Sequence, residues 1–214
     1  MRLNKLNDQQ KGSFLAFVGV MFITPDSLLI RLSSIETWGM LFYRGSIPFF
    51  AVLISLILYY KKNFYRALIN IGSVGIFYAI SFSICNITFI ISIQNTNVAN
   101  TLIMVALAPM LSAVLGAFFL KENPDKKTWI AIFITFLSVT FIFYDSIQLG
   151  NLVGDIFGFI TALGLAVNAN LARFAKSKDL VPAAVIGKLG TALFAFFFVE
   201  SFALINYDIL IIPL

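Results

Sequence analysis

Long apolar segments, separated by short polar or charged breaks, make up most of this chain. A helix rises about 1.5 Å per residue, so about 20 apolar residues cross the roughly 30 Å hydrocarbon core of a membrane. Seven segments come close to that length. We therefore predict seven membrane-spanning helices, at residues 13–32, 38–60, 70–93, 98–120, 128–144, 152–174 and 182–204.

Membrane-spanning strands are the alternative to helices. Such strands alternate apolar and polar residues over about ten positions. The segment 130–144 is apolar on all sides instead. The pattern predicts an all-α integral membrane protein, a multi-pass helical bundle.

Positive charges are distributed unevenly between the two ends of the predicted helices. Twelve of the fifteen Lys and Arg residues fall in the N-terminal leader and in every second connection, whereas the other connections receive only Arg31. Cytoplasmic loops carry the excess of Lys and Arg in membrane proteins. We therefore predict that the N-terminus is cytoplasmic. The twelve are Arg2, Lys5, Lys11, Lys61, Lys62, Arg66, Lys121, Lys126, Lys127, Arg173, Lys176 and Lys178.

Composition narrows the possible functions. Hydrophobic residues make up 60% of the chain and charged residues only 12%, so membrane lipid is the expected surrounding. The chain has no His and a single Cys, Cys85, which argues against a His triad, a metal site or a thiolate cluster. We expect no enzyme activity and no cofactor. The net charge of +5 is explained by the topology-setting loops, so no nucleic-acid partner is expected.

A weak internal repeat relates the first predicted helix to the sixth. A shift of 142 positions aligns residues 12–31 with residues 154–173 without gaps. Polar residues inside membrane helices are rare, so their coincidence carries more weight than the apolar matches. The aligned polar pairs are Asp26 with Asn168, Arg31 with Arg173 and, after a gap of two residues, Arg44 with Lys188.

The repeat unit contains five helices, an odd number, so the second copy must cross the membrane in the opposite direction. We divide the chain into a first five-helix repeat, 1–145, and the start of a second, inverted repeat, 146–214. Inverted repeats with a binding site between them are typical of secondary transporters.

Three features in order suggest a known family. The first helix begins at Gly12 and ends on Arg31, the second carries Arg44, and the fourth contains Pro109 and ends near Glu122. Together they resemble the EamA-type permeases of the drug/metabolite transporter superfamily. The resemblance implies five helices repeated twice and transport of solutes such as amino acids, amines, sugars or drugs.

Relative to that ten-helix pattern, this chain is three helices short. The expectation from the resemblance is a truncated second repeat. Such a chain is expected to need a second copy of itself or a partner supplying the missing helices, or to be a fragment without transport activity. The resemblance also implies a bacterial inner membrane location.

Asp26 is the sharpest candidate for a functional residue. A carboxylate inside a membrane helix is costly, and the neighbouring Pro25 is expected to kink the helix and free backbone carbonyls. Asp26 is predicted to bind substrate or to couple transport to protons. The alternatives are an ion pair with Arg44 or Arg31, or exposure at the outer mouth.

Two cations inside helices are further candidates. Arg44 lies about 9 Å from the outer edge of its helix, where it is predicted to bind an anionic group of a substrate. Lys188 mirrors it from the cytoplasmic side. The alternative for both is that the long side chain reaches the lipid headgroups.

Neutral polar residues complete the predicted substrate-binding set, with Asn86, Asn100 and Asn168 as amide candidates. Side-chain amides also hold helices together, so packing is the alternative for each. Pro109 is predicted to kink the fourth helix. Glu122 is predicted to form a loop ion pair or a helix cap rather than to bind substrate.

The leading prediction is a secondary transporter that moves a small polar metabolite or drug-like solute by alternating access. No Walker-type phosphate-binding loop occurs, so an ion gradient, for example of protons, would drive it. A seven-helix retinal protein with Lys188 as its Schiff-base lysine is an alternative that the predicted cytoplasmic N-terminus disfavours. A membrane enzyme is a further alternative, disfavoured by the missing His and clustered carboxylates.

Overall fold

The structure is a computed structural model with side chains. For residues 145–149 only the backbone is described. Every regular element in the described part of the chain is helical, which confirms the predicted all-α class. The described residues are 12, 14, 15, 17, 18, 21, 26–175, 178–200 and 202.

Nine α-helical segments from Asp26 onward have described bounds and are numbered here in chain order. They are α1 (Asp26–Leu32), α2 (Thr37–Tyr60), α3 (Phe64–Asn70), α4 (Gly72–Asn95), α5 (Val98–Val105), α6 (Ala108–Phe119), α7 (Lys126–Leu149), α8 (Leu152–Ala175) and α9 (Val181–Phe196). The 3-10 turn Lys61–Asn63 joins α2 to α3.

Among the residues that the structure describes, five stretches are long and apolar enough to cross a membrane, as a multi-pass membrane protein requires. The first predicted span lies largely outside the described residues, and so does Pro25 with its predicted kink. The five stretches are Thr37–Asn70, Gly72–Asn95, Val98–Phe119, Lys126–Tyr144 and Leu152–Ala175.

The predicted boundaries need correction at two places. The seventh span was expected to run to residue 204, but α9 ends at Phe196 after 16 residues. The chain turns there, and the ring of Phe198 stacks on Trp38 of α2 with 4.8 Å between centroids. The basic break after Tyr60 was expected to be a loop, but it contains the short helix α3.

The predicted fourth span is interrupted near its middle. α5 ends at Val105 and α6 begins at Ala108, with Pro109 in its first turn. Proline has no N–H to donate to the carbonyl four residues earlier, so the helical ladder is broken at this point. The interruption therefore lies just before Pro109.

The helix ends separate into two groups. At one end, the Tyr60 hydroxyl donates to Asp179, and Arg173 pairs with Glu122. We call this the basic end, because the cationic loops meet there. At the opposite end, Thr37 donates to Gln94. The helices thus alternate in direction as the charge pattern predicts.

Helix α4 lies at the centre of the bundle. One of its faces packs along α8 and another along α9, while α2 covers the other side of α9. Glycine permits the closest approach, since a Cβ on Gly45 of α2 would lie 2.7 Å from the backbone nitrogen of Ala192. A buried apolar cluster at the opposite end joins α1, α2, α4 and α9 through Ile30, Met40, Leu41, Ile90, Ile93 and Ala195.

Candidate functional site

The described residue Asp26 forms a two-pronged ion pair with Arg44. The two guanidinium nitrogens of Arg44 lie 2.6 Å and 2.7 Å from the two carboxylate oxygens of Asp26. The side chains are only 11% exposed for Asp26 and 20% for Arg44. The ion pair that the sequence left open as an alternative is therefore present, and its partner is Arg44. Arg31 donates instead to the carbonyl of Ile93 at 2.8 Å.

The position of this pair follows from the helices that carry it. Asp26 begins α1, about 9 Å along the helix from Leu32, and Arg44 lies about 10 Å from the start of α2. Pro48 stands four residues after Arg44 inside α2, so the Arg44 carbonyl lacks the N–H that the helix would normally supply. The sequence contained this proline signal, although we did not single it out.

Lys188 of α9 reaches the same region from the basic end. Its ammonium donates to the side-chain oxygen of Asn86 at 2.5 Å and lies 5.6 Å from the centre of the Phe82 ring. It is close enough to Asp26 and Arg44 to interact electrostatically with both. Asn86 lies about 21 Å from the start of α4, near the middle of that helix.

Four of the predicted residues therefore form one group, which we call the central cluster: Asp26, Arg44, Asn86 and Lys188. The cluster contains two cations and one carboxylate, so it carries a formal charge of +1. Cations so far inside the apolar part of a membrane protein attract negatively charged or strongly polar groups. This arrangement is suited to holding a carboxylate or a similar anionic group.

Asn168 belongs to α8 and lies against α4, apart from the central cluster. Its amide nitrogen is 3.9 Å from the sulfur of Cys85, and the side chain is 5% exposed. Its carbonyl oxygen has no hydrogen-bond partner among the described residues. Asn168 is thus a buried acceptor at the α4–α8 contact, and no described hydrogen bond joins it to the central cluster.

Asn100 lies near the opposite end of the bundle. Its amide nitrogen is 3.4 Å from a carboxylate oxygen of Asp155, and the hydroxyl of Thr96 donates to the other oxygen at 2.6 Å. Asp155 is fully buried in the first turn of α8. The structure therefore separates Asn100 from the central cluster and assigns it to the anchoring of α8.

A network of polar side chains lies at the basic end, and the sequence pattern did not predict that these side chains contact one another. The Arg173 guanidinium pairs with Glu122 at 2.7 Å, donates to the Ser112 hydroxyl at 2.6 Å and donates to Asn170 at 2.9 Å. Gly116 lies beneath it, since a Cβ there would lie 2.7 Å from the Glu122 carboxylate. We call these side chains the α6–α8 latch: Ser112, Glu122, Asn170 and Arg173.

The latch borders a cavity of about 610 Å³ whose lining includes Pro109, Ser112, Glu122, Thr128 and Arg173. The sequence marks Arg173 as a topology-setting cation and as the repeat partner of Arg31, but its contact with Glu122 depends on how α6 and α8 pack. Within the described residues, no group of three or more Cys, Asp or Glu side chains is placed to hold a metal ion.

Comparison with known proteins adds a family assignment. The model of the EamA-like transporter family matches residues 10–144. That stretch contains Asp26, Arg44, Asn86 and Asn100, together with the Pro109 interruption. No curated protein and no solved structure matches the chain. Since the family match covers more than half of its length, the chain belongs to the EamA-like transporter family.

Proposed function

We propose that this integral membrane protein is a secondary transporter that moves a small polar solute bearing a carboxylate or similar anionic group. The observation that carries the proposal is the central cluster, in which Arg44 pairs with Asp26 and a second cation, Lys188, donates to Asn86 inside the bundle. Buried charges are costly in a membrane protein and are retained where they serve transport.

In this mechanism the solute and Asp26 compete for Arg44. A solute carboxylate that binds the guanidinium displaces the Asp26 carboxylate, which then lacks its cationic partner. A carboxylate left unpaired in an apolar surrounding binds a proton more readily. Asp26 thereby couples solute binding to proton uptake, and the solute and the proton cross together.

Alternating access requires that each end of the bundle can close. At the basic end, the α6–α8 latch joins Glu122, which follows α6, to Arg173 of α8. At the opposite end, Arg31 joins α1 to the end of α4 through the carbonyl of Ile93. We propose that these two polar contacts open in turn while the central cluster holds the solute.

We further propose that the basic end faces the cytoplasm of a bacterial inner membrane. Because Cys85 is the single cysteine and is buried, its replacement by Ala provides a background for labelling. Asn123→Cys at the basic end and Asn97→Cys at the opposite end are then exposed to a membrane-impermeant maleimide added outside intact spheroplasts. Labelling of Asn97→Cys alone is expected, and labelling of Asn123→Cys alone would reverse the proposed orientation.

Transport is tested in proteoliposomes with a panel of radiolabelled amino acids, amines and sugars. We expect uptake of a carboxylate-bearing member of the panel above that of protein-free vesicles, with acceleration by an inward proton gradient. Arg44→Ala should abolish uptake, and Asp26→Asn should remove the acceleration by protons. Ser55→Ala, on an exposed position of α2, is the matched control.

Two results would contradict the proposal. Transport unchanged by both Asp26→Asn and Arg44→Ala would exclude the central cluster as the site. Uptake restricted to cationic amines would exclude the anionic substrate class, because Arg44 and Lys188 would repel such solutes.

A further inference from the structure

A second polar cavity lies at the basic end, apart from the central cluster and the latch. It has a volume of about 760 Å³ and lies between the α2–α3 region and the segment that leads into α9. Most of the residues that line it have polar or charged side chains: Tyr60, Asn63, Arg66, Asn70, Lys178 and Asp179.

One wall of this cavity is a single face of the short helix α3. Arg66 and Asn70 lie four residues apart on the same side of α3, and Asn63, which occupies the N-cap position of the helix, lies three positions before Arg66. Tyr65 and Ile69 lie four residues apart on a neighbouring face and are 73% and 60% exposed. Helix α3 thus presents a polar face to the cavity and an apolar face to the surroundings, as helices at a membrane surface do.

The other wall places a second cation opposite Arg66. Lys178 lies across Gly72, where an added Cβ would be 2.9 Å from the lysine ammonium. Because Gly72 has no side chain, the lysine fits at the junction of α3 and α4. Gly72 also has a φ of +59°, a backbone conformation in which glycine is favoured. No ion pair involving Arg66 or Lys178 occurs among the described residues.

The acidic residue of the cavity is already bound by protein donors. Asp179 accepts a hydrogen bond from the Tyr60 hydroxyl and another, at 2.9 Å, from the backbone nitrogen of Val181. Its carboxylate therefore fixes the wall of the cavity, while Arg66 and Lys178 remain to bind an anion.

We infer that this cavity binds the phosphate headgroup of an anionic membrane lipid. Arg66 and Lys178 hold the phosphate, the amides of Asn63 and Asn70 donate to headgroup oxygens, and the acyl chains lie beside Tyr65 and Ile69. Basic pockets between membrane helices are suited to phosphate headgroups. The exposed apolar face of α3 lies beside the cations. A lipid can bury this face with its acyl chains, whereas a soluble phosphate has no apolar part that could contact it.

The test uses the full chain purified in a neutral detergent, with added phosphatidylglycerol and, as the uncharged comparison, phosphatidylcholine. We expect phosphatidylglycerol alone to raise the melting temperature. The double variant Arg66→Gln/Lys178→Gln should weaken the apparent affinity about thirty-fold, or about fivefold for each cation removed. Lys126→Gln/Lys127→Gln removes the same charge at the start of α7, outside the cavity, and should retain the stabilisation.

Three outcomes would overturn the inference. If the Lys126→Gln/Lys127→Gln control weakens the apparent lipid affinity equally, the lipid responds to the overall positive charge of the basic end and not to this cavity. Stabilisation by sodium phosphate equal to that by the lipid would assign the cavity to a soluble anion. If phosphatidylglycerol stabilises the Arg66→Gln/Lys178→Gln variant as much as the unchanged protein, the lipid does not bind in this cavity. Because Arg66 and Lys178 are exposed, their single Gln variants should fold, and each provides the same comparison if the double variant does not.

Discussion

The buried ion pair between Asp26 and Arg44 leads to a quantitative prediction. Asp26→Asn removes the negative charge and leaves the guanidinium of Arg44 without its partner. Arg44→Gln removes the positive charge and leaves the Asp26 carboxylate without its partner. The double variant leaves two neutral amides that can still hydrogen-bond to each other. The three variants form a double-mutant cycle that isolates the interaction between the two side chains.

The expected size of the effect follows from the distance and the burial. At 2.6 Å and an effective dielectric constant of about 20, the attraction between the two charges is about 6 kcal/mol. Desolvation of both groups offsets a large part of it, and removal of one partner from a buried pair costs about 3–5 kcal/mol. Because the Arg44 side chain keeps 20% exposure, we expect the lower end, about 3 kcal/mol for each single variant.

The double variant should cost no more than either single variant, because neither Asp26 nor Arg44 is left as the unpaired half of the ion pair. The coupling energy in the cycle is then about 3 kcal/mol. It is measured by equilibrium unfolding in mixed micelles of increasing SDS content, followed by far-UV circular dichroism. Ser55→Ala should leave the midpoint unchanged.

Additive single effects would refute this reasoning. A coupling energy below about 0.5 kcal/mol is the value found for residues without shared contacts. In that case the two side chains would not meet inside the membrane-embedded protein, and the role of Asp26 as an exchangeable partner of Arg44 would fail with it.

Three further predictions concern the packing of the bundle and use the same unfolding measurement. Gly45→Ala should destabilise the protein by about 1–3 kcal/mol, because its Cβ meets the backbone of Ala192. At Gly12 an added Cβ meets no atom of the described residues within 4 Å, so Gly12→Ala should not destabilise the protein. Thr96→Val should cost about 1–3 kcal/mol by leaving the buried Asp155 short of a donor, and Thr96→Ser should restore the stability. Arg173→Gln should cost only about 1 kcal/mol, because its ion pair with Glu122 is more than 40% exposed on both sides; a loss as large as that of Asp26→Asn would contradict this.

The apolar pattern predicted most helix positions because membrane-spanning helices must satisfy their backbone hydrogen bonds within one continuous segment. The predicted spans 38–60 and 152–174 agree closely with α2 and α8. The end of α9 was not predictable in this way, since residues 197–204 are mostly apolar, with Glu200 as their one charged residue. That end depends on the stacking of Phe198 on Trp38, a contact between residues far apart in sequence.

For the candidate site too, the sequence predicted one part and the tertiary structure decided the other. Isolated polar residues in apolar segments are visible in a sequence because their burial is costly, and this marked Asp26, Arg44, Asn86 and Lys188. The same signal marked Asn100 and Asn168 equally strongly. The structure separates them, with Asn100 beside Asp155 and Asn168 at the α4–α8 contact.

The sequence by itself determined the surroundings of this protein, its helical class and the alternation of its helices, because hydropathy and loop charge act on each segment separately. Only the tertiary structure decided which polar residues meet. It paired Asp26 with Arg44 and Lys188 with Asn86, and it turned the topology cation Arg173 into part of the α6–α8 latch. These pairings depend on the close approach of whole helices, such as that of α2 to α9 at Gly45, and helix-by-helix patterns contain no information on that approach.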